Sequence, residues 1–285
     1  MPKTVDQTTS APADETYGDE NLGDETANRP EFVDYYTRDD VALGRQAHFS
    51  RLRDSLLAIR AMEGDADRAL DVADIGGGTG DCSVVWAEKG HKPICIDIGR
   101  DLIEAGRTRA KALGLDIGYE VGSATALPLA SGSVDIALLP ELLEHVEDWQ
   151  ACLDEATRIV RPGGLIQLST NNKINPRQQE FRLPFYSWYP GPIKRYCVRR
   201  TLDDRPEWAN YATFPAVNWF TPGQLIKALR RRGFDQIYSR ADLAAARGLG
   251  GWKGSVLAVL KAAPILYWPI RSCSQSTFLV AKKQA

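Results

Sequence analysis

The chain has 285 residues, 44% of them hydrophobic and 25% charged, with a net charge of −2 and a pI near 6.0. This is the composition of a globular protein with one large decorated domain or two small ones, and it excludes a global basic field that would gather nucleic acid. The five cysteines, at 82, 95, 152, 197 and 273, have neither CxxC nor zinc-finger spacing, so reduced, packed thiols are expected.

In chain order, residues 1–29 are rich in Asp, Glu, Thr and Gly and nearly free of large apolar groups. Such a segment cannot bury enough surface to offset its ordering entropy, and a disordered acidic tail is expected. It has no apolar stretch of the kind a secretory signal needs. Residues 30–64 change character. Phe32, Leu52, Leu56 and Ile59 fall at helical spacing, which predicts a helical cap of one or two helices.

From residue 65 a strand–helix alternation begins. Strands are predicted at 69–75, 93–98, 117–121, 133–139 and 165–170, with helices at 81–89, 102–113 and within 143–160. Arg161-Pro162-Gly163-Gly164 reads as the turn before the fifth strand. Strands separated by helices of this length imply a parallel sheet with helices on both faces. The rhythm stops at 173–220, where aromatic residues crowd together, and it resumes at 221–285. There Thr221-Pro222 opens a helix, and strands are predicted at 235–243 and 277–282. A second insertion occupies 244–276. The fold class expected is therefore α/β, a doubly wound seven-stranded sheet with an N-terminal helical cap and insertions after the fifth and sixth strands.

The first strand runs into Asp74-Ile75-Gly76-Gly77-Gly78-Thr79-Gly80. A phosphate-binding P-loop needs a Lys that is absent here. The dinucleotide fingerprint needs GxGxxG, and Asp81 stands where its third glycine would be. The spacing Asp-x-Gly-x-Gly-x-Gly resembles instead the first motif of the class I S-adenosylmethionine-dependent methyltransferases. The chemistry suits that cofactor. Glycines allow close backbone approach and positive φ, Asp74 can sit near an ammonium, and free amides at the next helix can face a carboxylate. Asp97, 23 residues on, can accept from both ribose hydroxyls. Gly122-Ser123-Ala124 resembles the family's adenine-lining segment, with Ser123 in place of the usual Asp. The resemblance assigns Asp74, Gly76, Gly77, Gly78, Gly80, Asp97, Ile98, Ser123, Ala124 and Pro140 to the cofactor. It adds a cap arginine for the cofactor carboxylate, Arg51, with Arg53 the alternative.

Pro140-Glu141-Leu142-Leu143-Glu144-His145-Val146 follows the fourth strand, where this fold faces the transferring methyl group. Glu-x-x-Glu-His, with Ile96-Asp97-Ile98-Gly99 and Ser169-Thr170-Asn171-Asn172, is similar to the ubiquinone-biosynthesis O-methyltransferases. In that group the glutamates and histidine are associated with magnesium, which makes Glu141, Glu144 and His145 candidate metal ligands. On a helix, positions i, i+3 and i+4 would converge. Helix-start acidity and an ordinary hydrogen-bonded histidine are the alternative. His145 and Glu144 are the candidate catalytic groups, His145 as general base because its ordinary pKa lies near neutrality.

Eleven aromatics and the basic residues Lys194, Arg195, Arg199 and Arg200 interleave in the 173–220 segment. A subdomain or lid over an apolar pocket is the first reading, membrane-interface contact the second, and base stacking the least favoured. The function expected is methyl transfer from S-adenosylmethionine, most simply O-methylation of a small or lipophilic hydroxylated acceptor. Metal-free C- or N-methylation and a non-catalytic, membrane-associated scaffold are the alternatives. The expected setting is cytoplasmic, with at most peripheral membrane contact and no nucleic-acid partner. The sequence leaves the acceptor and the oligomeric state open.

Overall fold

The computed structural model describes residues 39–62, 68–176, 181–209, 216–240, 242–243, 274 and 276–285. The expected acidic tail at 1–29 and most of the second insertion at 244–276, with Cys273, lie outside these residues.

Helix α1 (Asp39–Met62) buries Leu52, Leu56 and Ile59 along one stripe, as their spacing requires. Then come β1 (Asp71–Ile75), α2 (Asp81–Ala87), β2 (Lys92–Asp97), α3 (Arg100–Ala112), β3 (Gly118–Val121), β4 (Val134–Pro140), α4 (Trp149–Ile159) and β5 (Val160–Asn171). The chain continues through α5 (Gly191–Asp203), α6 (Pro222–Arg230), β6 (Phe234–Ser239) and β7 (Ser276–Lys283). The sheet order is β3-β2-β1-β4-β5-β7-β6. Strands β1 to β5 pair in parallel, and β7 lies antiparallel between β5 and β6.

Both sheet faces are buried, and neighbouring residues on one strand serve opposite sides. Ala73, Ala137 and Leu139 pack with Leu153 and Leu225 on one face. Val72, Ile136 and Leu138 pack with Leu56, Val85 and Trp86 on the other. This is why the strands read as apolar runs rather than alternating ones. Strand order reverses at β1, which pairs with β2 on one side and β4 on the other. Ligands bind doubly wound sheets outside the carboxyl ends of the strands at such a point.

The Arg161-Pro162-Gly163-Gly164 run is not a turn between elements. It lies inside β5, which begins at Val160. Val134 pairs with Val160 and Ile136 with Leu165, so the extra residues bulge, with Gly163 at φ 75°. Charge fixes this end of the sheet. Arg161 reaches Asp71 at 2.8 Å and Asp135 at 2.9 Å, and Arg68 reaches Asp135 at 2.5 Å. Burial alone would raise the Asp135 carboxyl, but hydrogen bonds from Arg68, the Asp71 amide and Arg161 pull it down to about 2.

The described part of the aromatic insertion has a core of its own, built from Phe181, Tyr186, Cys197, Ala209, Ala216 and Trp219. The Phe181 and Tyr186 rings stack at 3.9 Å, and Lys194 Nζ sits 3.9 Å over the Trp219 ring. Cys82, Cys95, Cys152 and Cys197 are buried free thiols. Among the described residues no helix is long and apolar enough to cross a membrane.

Candidate cofactor and acceptor site

The glycine loop leaves β1 at the switch point. Gly76, Gly78 and Gly80 have φ of 69°, 57° and 76°, the left-handed region that favours glycine. Gly77 is needed for space. A Cβ there would lie 2.7 Å from the Asp74 carboxyl and 2.7 Å from Cys95 Sγ. Asp74 is fully buried beneath this loop. Its Oδ2 accepts from the Ser83 amide at 3.1 Å and from Ser83 Oγ at 2.9 Å, while Oδ1 has no hydrogen-bond partner. Burial lifts its pKa to about 7, against the lowering effect of both Ser83 donors. Asp74 thus joins the end of β1 to the first turns of α2 from below the loop.

Asp97 closes β2. Its Oδ2 accepts from the Gly78 amide and its Oδ1 from the Gly99 amide, both at 2.8 Å. Burial raises its pKa, and the backbone amides of Gly99, Gly78 and Ile98 offset part of the rise. Each oxygen keeps a second lone pair, as an acceptor for a diol requires. Next to it Ile98 is 39% exposed, an apolar face at the carboxyl edge. Gly122 is tied to Asp97 by its amide, which donates to the Asp97 carbonyl at 3.0 Å. Ser123 Oγ contacts Thr125 Oγ1 at 2.8 Å and accepts the Thr125 amide at 3.2 Å, so the residue that replaces the usual Asp caps its own turn. Ala124 is partly buried beside it. A glycine bed, a two-oxygen acceptor and an apolar face together fit a nucleoside carrying an amino-acid tail.

The turn after β4 differs from the helical reading. Residues 141–146 form turns, and α4 starts only at Trp149 behind the Asp148 cap, whose carboxylate accepts the Ala151 amide. Pro140 ends β4 in register with Ser169. Glu141 has φ 50°, a strained value for a side-chain-bearing residue, and it is exposed. Glu144 is fully buried, with no hydrogen bond of normal geometry to either carboxylate oxygen. Burial and then the neighbouring Glu141 charge drive the Glu144 pKa well above the carboxylate range. His145 is half-buried. Among the described residues no three acidic, histidine or cysteine side chains form a group that could hold a metal ion. The expected magnesium set of Glu141, Glu144 and His145 is therefore corrected. Without a helix no i, i+3, i+4 repeat gathers the three side chains, and Glu144 is buried.

The α1 cations sit in different surroundings. Arg51 is exposed on α1. Arg53 is buried, donating to the Val85 carbonyl at 2.5 Å and to Asp54. The α1 cation that reaches the loop is Arg45, whose Nε lies 2.5 Å from Asp81 Oδ2. Arg109 from α3 holds the other Asp81 oxygen at 2.6 Å and the Thr79 carbonyl at 2.9 Å. The sequence carried one sign of this clamp: a carboxylate directly after the last loop glycine, which needs a cation once buried.

These features agree with comparisons to known proteins. Residues 73–168 match the model of the methyltransferase domain. The chain is 30% identical over 198 residues to the ubiquinone/menaquinone biosynthesis C-methyltransferase UbiE of Dinoroseobacter shibae, covering 66% of this chain and 74% of that protein. It is 30% identical over 168 residues to a ubiquinone biosynthesis O-methyltransferase of Cereibacter sphaeroides, covering 59% of this chain and 61% of that protein. The solved structure of the cyclase SpnF superposes with a TM-score of 0.51 at 18% identity, over 83% of this chain and 81% of that one, which shows the shared fold. The chain belongs to the S-adenosylmethionine-dependent methyltransferases.

Proposed function

We propose that this enzyme O-methylates a small or lipophilic hydroxylated acceptor. The observation that carries the reading is the turn after β4, where half-buried His145 follows buried Glu144 at the edge where the fold delivers the methyl group. When bound, S-adenosylmethionine supplies an electrophilic methyl group on a good leaving group. Asp97 holds the ribose hydroxyls, Ile98 and Ala124 flank the adenine with the Ser123 turn behind them, and Gly76 to Gly80 admit the amino-acid end. Asp74 acts through the loop it supports, and Arg51 supplies a cation from α1. Pro140 ends the strand at the methyl-transfer edge.

A neutral hydroxyl is a poor nucleophile, so its proton must leave as the carbon–oxygen bond forms. His145 takes that proton. Glu144, favoured in its neutral form, is a poor base, and its part is to orient the turn. No step runs through a metal. Alignment of the acceptor behind the methyl group and exclusion of water account for the remaining acceleration.

The second reading is C-methylation, favoured by the coverage of the UbiE relative, with the same residues activating a phenol whose ring carbon takes the methyl group. Incubation with phenolic acceptors and carbon-13 methyl-labelled cofactor separates the two. A methoxy carbon resonance supports O-methylation, and an aryl-methyl resonance overturns it in favour of the second reading. A non-catalytic scaffold requires that no acceptor yields S-adenosylhomocysteine.

A further inference from the structure

We propose that the exposed ridge of the aromatic insertion, formed by Phe185, Trp188, Ile193 and Tyr196, docks on an anionic lipid surface. The four side chains are 53%, 56%, 48% and 58% exposed, although they fall within one short stretch of chain. Single exposed apolar residues are ordinary, whereas a contiguous set marks a contact surface.

The ridge is rigidly built. Between Phe185 and Trp188, Tyr186 and Ser187 are fully buried in the insertion core, and Ser187 Oγ donates to the Asn175 carbonyl at 3.0 Å. The Trp188 indole N–H donates to the Lys173 carbonyl at 2.9 Å, so its only polar group is satisfied within the chain and the ring is left as an apolar wedge. The Phe185 ring lies 5.5 Å from it. Phe185 holds φ 58°, a conformation that costs free energy in a residue with a side chain, in order to present a ring that packs against no core. On α5, which begins three residues after Trp188, Ile193 and Tyr196 are exposed at a spacing of three, on one face of the helix.

The charge chooses the occupant. From Phe181 to Leu202 the chain carries Arg182, Lys194, Arg195, Arg199 and Arg200 and no acidic residue, within a protein of net charge −2. Lys194 is held over Trp219 and Arg200 pairs with Asp204 at 2.7 Å, while Arg182 and Arg199 are exposed. Aromatic rings at the interface with cations beside them are the arrangement that anionic headgroups over a hydrocarbon layer reward. A second copy of this chain would bring like charges together. The inference goes beyond the methyl-transfer reading, and its test reads binding without turnover, so the two can fail separately.

The test sediments the full-length protein with vesicles of phosphatidylcholine containing about 30% phosphatidylglycerol, and with phosphatidylcholine alone, at about 0.1 M salt. Binding is expected only to the anionic vesicles, weakening as salt rises. The F185S/W188S double variant should lose about tenfold or more in affinity, and R199Q should lose less, with cooperative unfolding retained in both variants. Failure of the wild type to sediment with anionic vesicles overturns the proposal, as does equal binding by the double variant. Concentration-dependent dimerisation lost in the same variant, without vesicle binding, would reassign the ridge to self-association.

Discussion

The carboxylate of Asp97 accepts the amide of Gly78 at 2.8 Å, tying the end of β2 to the glycine loop that leaves β1. The same carboxylate takes the Gly99 amide at the head of α3. One side chain thus fixes the loop on one side of the crevice and the next helix on the other, before any ligand is considered. Asp74 does the matching work underneath, through Ser83, and Arg45 and Arg109 hold Asp81 at the far end.

The close approach at Gly77 makes it sensitive to one added methyl group. Gly77→Ala would place a carbon 2.7 Å from the Asp74 carboxyl and from Cys95 Sγ. Overpacking of this kind costs about 1–3 kcal/mol. The urea midpoint should fall accordingly, with cofactor affinity falling alongside; an unchanged midpoint would mean that the loop has room it does not show.

Asp74 makes stability depend on pH in a direction opposite to a paired surface carboxylate. Its folded pKa is about 7 against a normal value of 3.8. The folded state therefore binds more protons than the unfolded state between those values, and stability falls as pH rises through that window. The shift of roughly 3 units corresponds to at most about 4 kcal/mol. Asp74→Asn, which keeps an acceptor for Ser83, should flatten the slope between pH 4 and 7 in urea titrations. A slope identical to the wild type would assign it to other groups.

Arg45 contributes from a helix outside the α/β core. Arg45→Ala leaves Asp81 with Arg109 alone, at a cost of about 1–2 kcal/mol for a partly buried charge-assisted contact. In an Asp81→Asn background the same change should cost clearly less, because the charge it pairs with at that position is gone. Additive effects in that double-mutant cycle would contradict the clamp.

The proposed function assigns His145 to the transfer step and not to cofactor retention. His145→Ala should lower turnover by about 10²–10⁴-fold, with S-adenosylmethionine affinity within about twofold of the wild type. A proportional loss of both would move His145 into the binding site.

Much of this was legible in the sequence wherever local chemistry decides the outcome. Gly76, Gly78 and Gly80 do take positive φ, Asp97 does close β2, and Thr221 does cap α6 by accepting the Gln224 amide. The sheet follows from apolar runs cut by helices of regular length. Arrangements set by distant parts of the chain were not legible. Pro162-Gly163-Gly164 reads as a turn, yet pairing with β4 draws it into β5 as a bulge. Glu141, Glu144 and His145 read as one helix face. The Val217 and Asn218 amides, from the far end of the insertion, instead bond the Glu144 carbonyl at 2.8 and 3.1 Å and Asn218 Nδ2 bonds the Val146 carbonyl at 2.7 Å, holding the segment as a turn. Buried Asp81 itself signals a cation, but that one of its two partners is Arg45, 36 residues away on α1, had no local signal.

The central claim is that Asp97 and the glycine loop form the S-adenosylmethionine site, and calorimetric titration of Asp97→Ala with that cofactor tests it most directly. The account predicts a loss of affinity of about 100-fold or more, for want of the carboxylate that receives the ribose, in a variant that still unfolds cooperatively. Wild-type affinity in that variant would contradict it.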